Sequence, residues 1–315
     1  MTKILVIGAC GQLGSELTVQ LKKNYGEDNV IPSDLKDRNG LFTDSNFEQL
    51  DVLDNARLID LTRKHKVTQV YHLAAILSAK GENNPLFAWK LNMDGLLNVL
   101  ELARKECLEK VYWPSSIAVF GPGTPKDMTH QDTIADPNTV YGISKLAGER
   151  WCQYYFDKYG VDVRSIRYPG LIGWKGQPGG GTTDYAVDIY HKAIKGETFE
   201  CFLDKDTYLP MMYMDDAIRA TIELMEAPRE SVKVRSSYNV SAMSFSPHEI
   251  YDAIKRHYSN FNIIYKPDFR QIIADSWPHS IDDSEAREEW GWNPKFDLGK
   301  MTEDMLENLA GKEIA

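Results

Sequence analysis

Short apolar runs alternate with longer segments of mixed polarity through the first half of the chain. The runs show little polar alternation, which is typical of parallel strands covered on both faces. The longer segments repeat apolar residues at helical spacing. Strands are predicted at residues 4–7, 30–34, 48–52, 69–75, 109–114 and 163–168, and helices at 55–66, 85–105 and 139–159. This alternation predicts an α/β fold with a doubly wound parallel sheet.

The second half of the chain has shorter and less regular elements. The pattern predicts helices at residues 184–195, 215–225 and 247–258, strands at 209–214 and 262–265, and a terminal helix. We therefore expect one large domain over residues 1–168, to which later segments return, and a smaller C-terminal α/β lobe over residues 169–315.

Composition and charge exclude several classes of protein. The chain has 315 residues, 43% of them hydrophobic, which is enough apolar material for a packed core. Its formal net charge of −10 argues against binding to nucleic acid or to an anionic membrane. No apolar run reaches membrane-spanning length, and a core strand so near the start leaves no room for a signal peptide. The four cysteines and seven histidines lack metal-ligand spacing. We expect a soluble, cytoplasmic protein without a bound metal.

Three glycines follow the first strand directly. Gly8 permits a tight turn, Gly11 lets the backbone approach a pyrophosphate, and Gly14 lets the next helix pack against the strand. The N-terminus of that helix offers free N–H groups to phosphates. This strand–turn–helix context predicts a Rossmann-type dinucleotide-binding domain. The alternative is a glycine-rich turn that binds no ligand.

An acidic residue ends the second predicted strand. Asp34 lies 20 residues beyond Gly14, where a carboxylate can accept hydrogen bonds from an adenosine ribose and would repel a 2′-phosphate. Asp34 therefore favours NAD over NADP. Lys36 and Arg38 leave NADP open if the loop folds back, and Asp34 could instead cap the next turn.

The candidate chemistry lies on a later helix. Tyr141 and Lys145 are four residues apart and therefore share one helix face. A cation beside a phenol favours the phenolate and lowers the phenol pKa from about 10. Such a phenol can accept the proton of a substrate hydroxyl whose carbon loses hydride. Ser115 and Ser116 follow the fifth strand, where they can hydrogen-bond the same oxygen. The alternative is a tyrosine–lysine pair that lies on a helix surface without a catalytic role.

A glycine-rich loop indicates the kind of substrate. Residues 179–181 are consecutive glycines, followed by Thr182 and Thr183. Backbone N–H groups and hydroxyls in such a loop suit a carboxylate, and glycines allow the loop to close over a small ligand. We expect residues 169–315 to bind mainly substrate, although the loop could be an ordinary connection.

These motifs together resemble the extended short-chain dehydrogenase/reductase family, with an architecture similar to that of UDP-galactose 4-epimerase. The matching positions are Gly8, Gly11, Gly14, 72–75, Asn92, Ser115, Ser116, 119–121, Tyr141, Lys145, 213–217 and 290–294. Three longer strings, at residues 178–186, 209–213 and 274–278, resemble the short-chain L-threonine 3-dehydrogenases of that family. The resemblance covers essentially the whole chain.

The resemblance implies NAD-dependent oxidation of the 3-hydroxyl of L-threonine to 2-amino-3-ketobutyrate. It implies that Tyr141 is the general base, that Lys145 lowers its pKa and holds the nicotinamide ribose, and that Ser116 orients the hydroxyl. The implied substrate-binding residues are Ser78, Ser115, Tyr141, Gly180, Gly181 and Thr182. The implied cofactor-binding residues are Gly8, Gly11, Gln12, Leu13, Gly14, Asp34, Asp51, Val52, Leu73, Ala74, Ala75, Asn92, Tyr141, Lys145 and Tyr168.

Two other functions stay open from the sequence. A nucleotide-sugar 4-epimerase or dehydratase would share Ser116, Tyr141 and Lys145, and a non-catalytic NAD-sensing module would share the glycine turn. Cys10 at the phosphate turn departs from the family pattern, and Trp277 could be an apolar lid or a core residue. Family members commonly dimerise through two helices per subunit, so we expect a homodimer with a four-helix interface formed by residues 85–105 and 141–159.

Overall fold

The computed structural model describes residues 2–37, 40–42, 46–176 and 181–313. The strands are β1 Ile4–Ile7, β2 Val30–Asp34, β3 Glu48–Gln49, β4 Gln69–His72, β5 Lys110–Tyr112, β6 Ser115–Ser116, β7 Val163–Arg164, β8 Ile166–Tyr168, β9 Gly170–Ile172, β10 Phe199–Cys201, β11 Leu209–Tyr213, β12 Tyr238–Asn239, β13 Met243–Phe245 and β14 Ile263–Tyr265. The helices are α1 Gln12–Tyr25, α2 Asn55–His65, α3 Ser78–Glu82, α4 Pro85–Lys105, α5 Val140–Tyr159, α6 Tyr185–Ile194, α7 Met214–Glu226, α8 Pro247–Lys255, α9 Phe269–Ser276, α10 Ser284–Trp290 and α11 Leu298–Glu313.

The principal sheet has six strands in the order β3-β2-β1-β4-β5-β7. All of its neighbouring strands are parallel, and Ile4 pairs with Val30 on one side and with Gln69 on the other. The central strand β1 is buried along its whole length, which explains its unbroken apolar run. The chain leaves β1 for β2 and returns on the other side at β4, and ligands bind beyond the carboxyl ends of strands at such a switch point. The predicted Rossmann-type parallel sheet is confirmed.

Local signals account for the bounds of the two long helices of this fold. Helix α4 begins at Pro85 after Asn84, whose side chain accepts a hydrogen bond from the Phe87 N–H. Helix α5 follows Thr139, whose hydroxyl accepts from the Gly142 N–H, and it ends before a left-handed glycine at position 160. The predicted helices at 85–105 and 139–159 are therefore confirmed to within one residue.

The predicted strand at 163–168 is wrong as a single element. Strand β7 pairs with β5, whereas β8 joins a separate sheet with β6 and β12. Ser165 lies between them, with its carbonyl accepting from the Tyr238 N–H and its hydroxyl bonded to that of Ser237. Because residues 163–168 are all buried, no polar position in the sequence indicates this break.

The predicted strand at 48–52 is shorter than expected. It ends at Gln49, because Asp51 forms a turn in which its carboxylate accepts from the Leu53 N–H and its carbonyl accepts from the Asp54 N–H.

The chain divides into two compact units, each discontinuous in sequence. The first contains residues 1–116, 139–167 and 221–238, and the second contains residues 117–138, 168–220 and 239–315. In the second unit, β11 pairs in parallel with β9 and antiparallel with β13, and β10 pairs with β14. That residues 1–168 bind the cofactor and residues 169–315 bind mainly substrate stays a prediction. Among the helices of the described ranges, none is long and apolar enough to cross a membrane.

Candidate active site

Two glycines of the β1–α1 turn make backbone contacts that no other residue allows. Gly8 has a φ of +87°, and a Cβ there would lie 2.6 Å from the Ala74 nitrogen. A Cβ on Gly14 would lie 2.2 Å from the Gly8 carbonyl oxygen. Gly11 is less restricted, because its Cβ would lie 3.3 Å from the same oxygen. The glycines therefore let the turn press against the end of β4 and let α1 start directly behind it.

The N-terminus of α1 is open. Gly11 is its N-cap and is exposed, and no side chain caps this helix end. The neighbouring Gln12 is exposed and Leu13 is half-buried. Unpaired N–H groups and the positive end of the helix dipole suit a pyrophosphate. The turn thus fits a dinucleotide.

Asp34 at the end of β2 is half-buried and faces this turn. Its Oδ2 accepts a hydrogen bond of 3.0 Å from the Cys10 N–H, and its Oδ1 accepts one of 2.8 Å from the Leu35 N–H. These bonds orient the carboxylate and still leave acceptor lone pairs for a ribose. Lys36 is exposed, and Arg38 lies outside the described residues.

The other expected cofactor residues are distributed along the carboxyl edge of the sheet. The Leu73 N–H donates to the Ile7 carbonyl at 2.8 Å, and the half-buried residues 73–75 continue from β4. Asp51 is exposed, and Val52 is buried against α4, where a Cβ on Gly95 would lie 3.0 Å from its Cγ1.

Asn92 has a positioning role in this structure. Its Oδ1 accepts from the Ile76 N–H at 2.9 Å, and its Nδ2 donates to the Ile76 carbonyl and to the Ser144 hydroxyl, each at 3.1 Å. Ser144 in turn donates to the Tyr141 carbonyl at 2.7 Å. Because both amide hydrogens are used, Asn92 ties the segment after β4 to the start of α5 and has no hydrogen left for a cofactor.

Tyr141, Ser116 and Lys145 lie together in the first unit. The Tyr141 phenol hydrogen-bonds Ser116. Lys145 is buried, its Nζ donates to the Pro114 carbonyl at 2.5 Å, and it lies 5.6 Å from the centre of the Tyr141 ring. The same nitrogen lies 4.4 Å from the centre of the Trp113 ring. The predicted helix face therefore brings phenol, ammonium and hydroxyl together.

The predicted acidification of Tyr141 by Lys145 is wrong for the arrangement in this structure. Burial raises the pKa of Tyr141 to about 12, and the hydrogen bond from Ser116 opposes that shift. Burial also lowers the pKa of Lys145 to about 7. Desolvation dominates both shifts, and the ammonium of Lys145 donates to the Pro114 carbonyl and lies over the Trp113 ring.

The predicted contact of Ser115 with substrate stays a prediction, and Ser115 has a hydrogen-bond partner within the fold. It is buried and donates to Glu149 Oε1 at 2.7 Å, and Arg167 holds both oxygens of that carboxylate at 2.9 Å. Sequence reasoning missed Glu149 and Arg167. The available signal is that Glu149 continues the four-residue spacing of Tyr141 and Lys145 along one helix face.

The expected substrate contacts of the second unit stay predictions. Thr182 is buried, and within the described residues its hydroxyl has no hydrogen-bond partner. The Gly181 N–H donates to Asp184 Oδ2 at 2.8 Å. Gly180 lies outside the described residues.

Three further residues are all buried. Ser78 starts α3, Tyr168 lies in β8, and Trp277 follows α9. Within residues 2–37, 40–42, 46–176 and 181–313, no cluster of three potential metal ligands occurs.

Solved structures similar to this chain include L-threonine dehydrogenases. The GalE-like L-threonine dehydrogenase from Cupriavidus necator in its holo form is 56% identical, with a TM-score of 0.95 over 98% of this chain and 99% of that one. The L-threonine dehydrogenase from Clostridium difficile is 49% identical, with a TM-score of 0.97 over 100% and 99%. A UDP-glucose 4-epimerase from Thermotoga maritima shares the fold, with a TM-score of 0.86 over 100% of both chains, at only 24% identity.

Relatives found by sequence comparison also match this chain over its full length. An uncharacterized epimerase/dehydratase from Staphylococcus saprophyticus is 51% identical, covering 100% of this chain and 99% of the relative. The model of the NAD dependent epimerase/dehydratase family matches residues 4–241, from β1 to just beyond β12. Since that match includes the glycine turn and the Tyr141 helix and spans well over half of the chain, this protein belongs to the NAD-dependent epimerase/dehydratase family.

Proposed function

We propose that this protein oxidises the 3-hydroxyl of L-threonine to a ketone, with NAD as the cofactor. The observation that carries the proposal is the Tyr141 phenol hydrogen-bonded to Ser116 on the helix that also presents the buried Lys145. High identity to L-threonine dehydrogenases along the whole chain supports this choice over a nucleotide-sugar epimerase, for which similarity is limited to the fold.

The first unit holds the cofactor. The turn at Gly8 and Gly14 and the open N-terminus of α1 would bind the pyrophosphate, and Asp34 would bind the adenosine ribose. Bound NAD supplies an acceptor for the hydride that leaves the substrate carbon. Asp51, Val52 and residues 73–75 are proposed to line the adenosine and its linkage.

Tyr141 and Ser116 act on the substrate hydroxyl. Ser116 already hydrogen-bonds the phenol, so a hydroxyl placed between them accepts from Ser116 and donates to the Tyr141 oxygen. In its phenolate form, Tyr141 takes the hydroxyl proton as the hydride leaves the substrate carbon and the carbonyl forms. Lys145 assists only when its ammonium turns from the Pro114 carbonyl toward the phenol, because a near cation favours the phenolate.

The second unit offers one group for the amino-acid end of the substrate. No group in the described part of the chain hydrogen-bonds the buried hydroxyl of Thr182, and an unpaired buried hydroxyl costs about 1–3 kcal/mol. A carboxylate or ammonium group of threonine would remove that cost. Thr182 is therefore the proposed binder of the substrate's charged end.

A homodimer through α4 and α5 is part of the proposal. Both helices expose large apolar side chains, which on a monomer would stay in water. These side chains are Leu86, Phe87, Trp89, Ile143, Trp151, Tyr154 and Tyr159. Sedimentation should give twice the chain mass, and Trp151→Asp should give the chain mass. A wild-type monomer would contradict this part of the proposal.

The test follows NADH absorbance with L-threonine and compares Tyr141→Phe with Tyr208→Phe. Tyr141→Phe removes the proton acceptor and should lower kcat by about 10²–10⁴-fold. Tyr208 is exposed, hydrogen-bonds Glu249 and lies on neither α4 nor α5, so its variant should match the wild type. An unchanged rate in Tyr141→Phe, or conversion of UDP-galactose without oxidation of threonine, would overturn the proposal.

A further inference from the structure

The ammonium of Lys145 is buried without an ion-pair partner. Lys145 is 3% exposed, and among the described residues no carboxylate lies within ion-pair distance of its Nζ. Its two close contacts are the Pro114 carbonyl at 2.5 Å and the face of Trp113, whose ring centre is 4.4 Å away. A buried ammonium normally needs a counter-charge or a full set of hydrogen bonds. In this structure the aromatic face of Trp113 stands where a counter-charge would be expected.

The indole of Trp113 is held firmly in this position. Trp113 follows β5 and is 3% exposed. A Cβ on Gly148 of α5 would lie 2.4 Å from the Trp113 Cη2 atom and 2.6 Å from its Cζ2 atom. Gly148 therefore creates the space that lets the indole lie against the helix, under the side chain located one turn earlier at Lys145.

We propose that Trp113 is a positioning residue for catalysis, because its indole face holds the Lys145 side chain charged and in place while leaving N–H donors of that ammonium free. The proposal rests on the proposed function, in which Lys145 serves the nicotinamide ribose and the Tyr141 phenol. An ammonium has three N–H donors, and the Pro114 carbonyl takes one of them. A cation–π contact stabilises charge without taking the other two. A carboxylate in the position of the indole would occupy these two N–H donors, so they would not be available to a cofactor or to the phenol.

Several titratable groups surround Lys145, and none replaces the indole. On α5, Glu149 favours the charged amine, but Arg167 already neutralises that carboxylate. Cys152 stays a neutral thiol, since burial raises its pKa well above the usual range. His72 of β4 is neutral, because burial and, to a smaller extent, the charge of Lys145 lower its pKa to about 3. Tyr141 is protonated in this structure, with a pKa of about 12.

The test measures coupling between the two residues. The NAD dissociation constant is determined for wild type, Trp113→Leu, Trp113→Phe, Lys145→Met and the double variant Trp113→Leu with Lys145→Met. The pH profile of kcat/KM is determined for wild type, Trp113→Leu and Trp113→Phe, which keep Lys145. We expect Trp113→Leu to weaken NAD binding by about 3- to 30-fold, the range between an exposed and a desolvated cation–π contact. Trp113→Phe keeps a weaker aromatic face and should fall between Leu and wild type. In the Lys145→Met background, Trp113→Leu should change NAD binding by less than about twofold.

The pH profile separates positioning from packing. Without the indole the Lys145 amine loses its proton more easily, so the alkaline limb should move to lower pH, by about one pH unit for a tenfold loss. Equal losses in the wild-type and Lys145→Met backgrounds, or an unmoved alkaline limb, would overturn the proposal. If Trp113→Leu does not fold, Trp113→Phe and its double variant decide the question in the same way. Wild type that binds NAD but does not oxidise threonine refutes the proposed function alone, since the binding cycle still tests Trp113.

Discussion

Two buried cations in the first unit, Arg164 and Lys145, differ in how many hydrogen-bond and ion-pair partners they have. The guanidinium of Arg164 forms two hydrogen bonds with Asp162, at 3.1 and 2.9 Å. It also donates to three carbonyls at the end of α7, those of Leu224, Met225 and Ala227. The ammonium of Lys145 has one carbonyl and one aromatic face.

The Arg164 centre has further support around it. Arg235 reaches the same Asp162 carboxylate at 2.5 Å, and its guanidinium lies 4.1 Å from the centre of the Phe156 ring. These contacts hold the pKa of Asp162 below its usual value against the opposing effect of burial. All three guanidinium nitrogens of Arg164 donate hydrogen bonds within the fold, and the side chain is buried, so this charge serves the structure.

The difference shows how a fold separates structural charge from functional charge. A fully paired buried charge locks strands and helix ends together. A partly paired one leaves N–H donors that a cofactor or a reacting group can use, at a cost in stability. The following substitutions test this contrast, from the largest expected effect to the smallest.

Asp162→Asn should be the most damaging change to stability. It leaves two buried guanidinium groups without their anion, which costs about 3–5 kcal/mol in the free energy of unfolding. Urea denaturation measures this loss, and Glu200→Gln, which breaks the exposed pair with Lys266, is the control with at most about 1 kcal/mol. Similar losses in the two variants would show that the Arg164 centre is not specially stabilising.

Lys145→Met should act in the opposite direction and stabilise the protein while abolishing activity. The unfolded amine titrates near 10.5 and the folded one at about 7. Between those values the unfolded state binds more protons, so the wild type loses stability as pH falls from 10.5 to 7. At pH 7 the variant should gain about 1–4 kcal/mol, as other replacements of buried charges do. Urea curves at pH 7 and 10 measure it, and a loss of stability at pH 7 would contradict the contrast.

His72→Leu should remove part of the acid sensitivity of the fold. Neither ring nitrogen of His72 has a hydrogen-bond partner among the residues that the structure describes, and burial lowers its pKa from 6.5 to about 3. Between these values the unfolded state binds the extra proton, so stability present above pH 6.5 declines as pH falls. The difference between wild type and variant should change by about 1.4 kcal/mol per pH unit in that window. The exposed His257→Leu is the control, and a parallel pH dependence of wild type and His72→Leu would refute a neutral buried imidazole.

Asp34→Asn should have the smallest effect of these substitutions. We expect it to change the preference for NAD over NADP and to leave the stability of the fold unchanged. Asp34 resembles Lys145 in being only partly paired, since two backbone N–H groups orient it and no cation neutralises it within the described ranges. Removing its charge should improve kcat/KM for NADP relative to NAD by about tenfold, because repulsion of a 2′-phosphate is lost. An unchanged ratio would mean that Asp34 does not face the ribose.

Local signals explain which parts of the site could be predicted. The start of α5 carries its cap at Thr139, and the four-residue spacing of Tyr141 and Lys145 lies within one helix. Gly8 and Gly14 adjoin an apolar strand, and their backbone contacts are the ones that the turn requires. Each of these features depends on residues close in sequence.

Other parts depend on contacts between distant segments. The hydroxyl of Ser115 bonds to Glu149, 34 residues away, a partner that sequence reasoning missed. The break between β7 and β8 is set by pairing to different sheets, and buried residues on both sides conceal it. The periodicity of apolar residues along the chain does not indicate which distant side chain or strand becomes the partner.

The order of strands and helices, the phosphate turn and the shared face of the tyrosine and lysine follow from the sequence alone, because backbone geometry and side-chain periodicity are local. Only the tertiary structure decides that Lys145 turns to Trp113 and Pro114, and that burial raises the pKa of Tyr141. Hydration and charge pairing depend on every element packed around a group, so the charge state of the site is determined by the assembled fold.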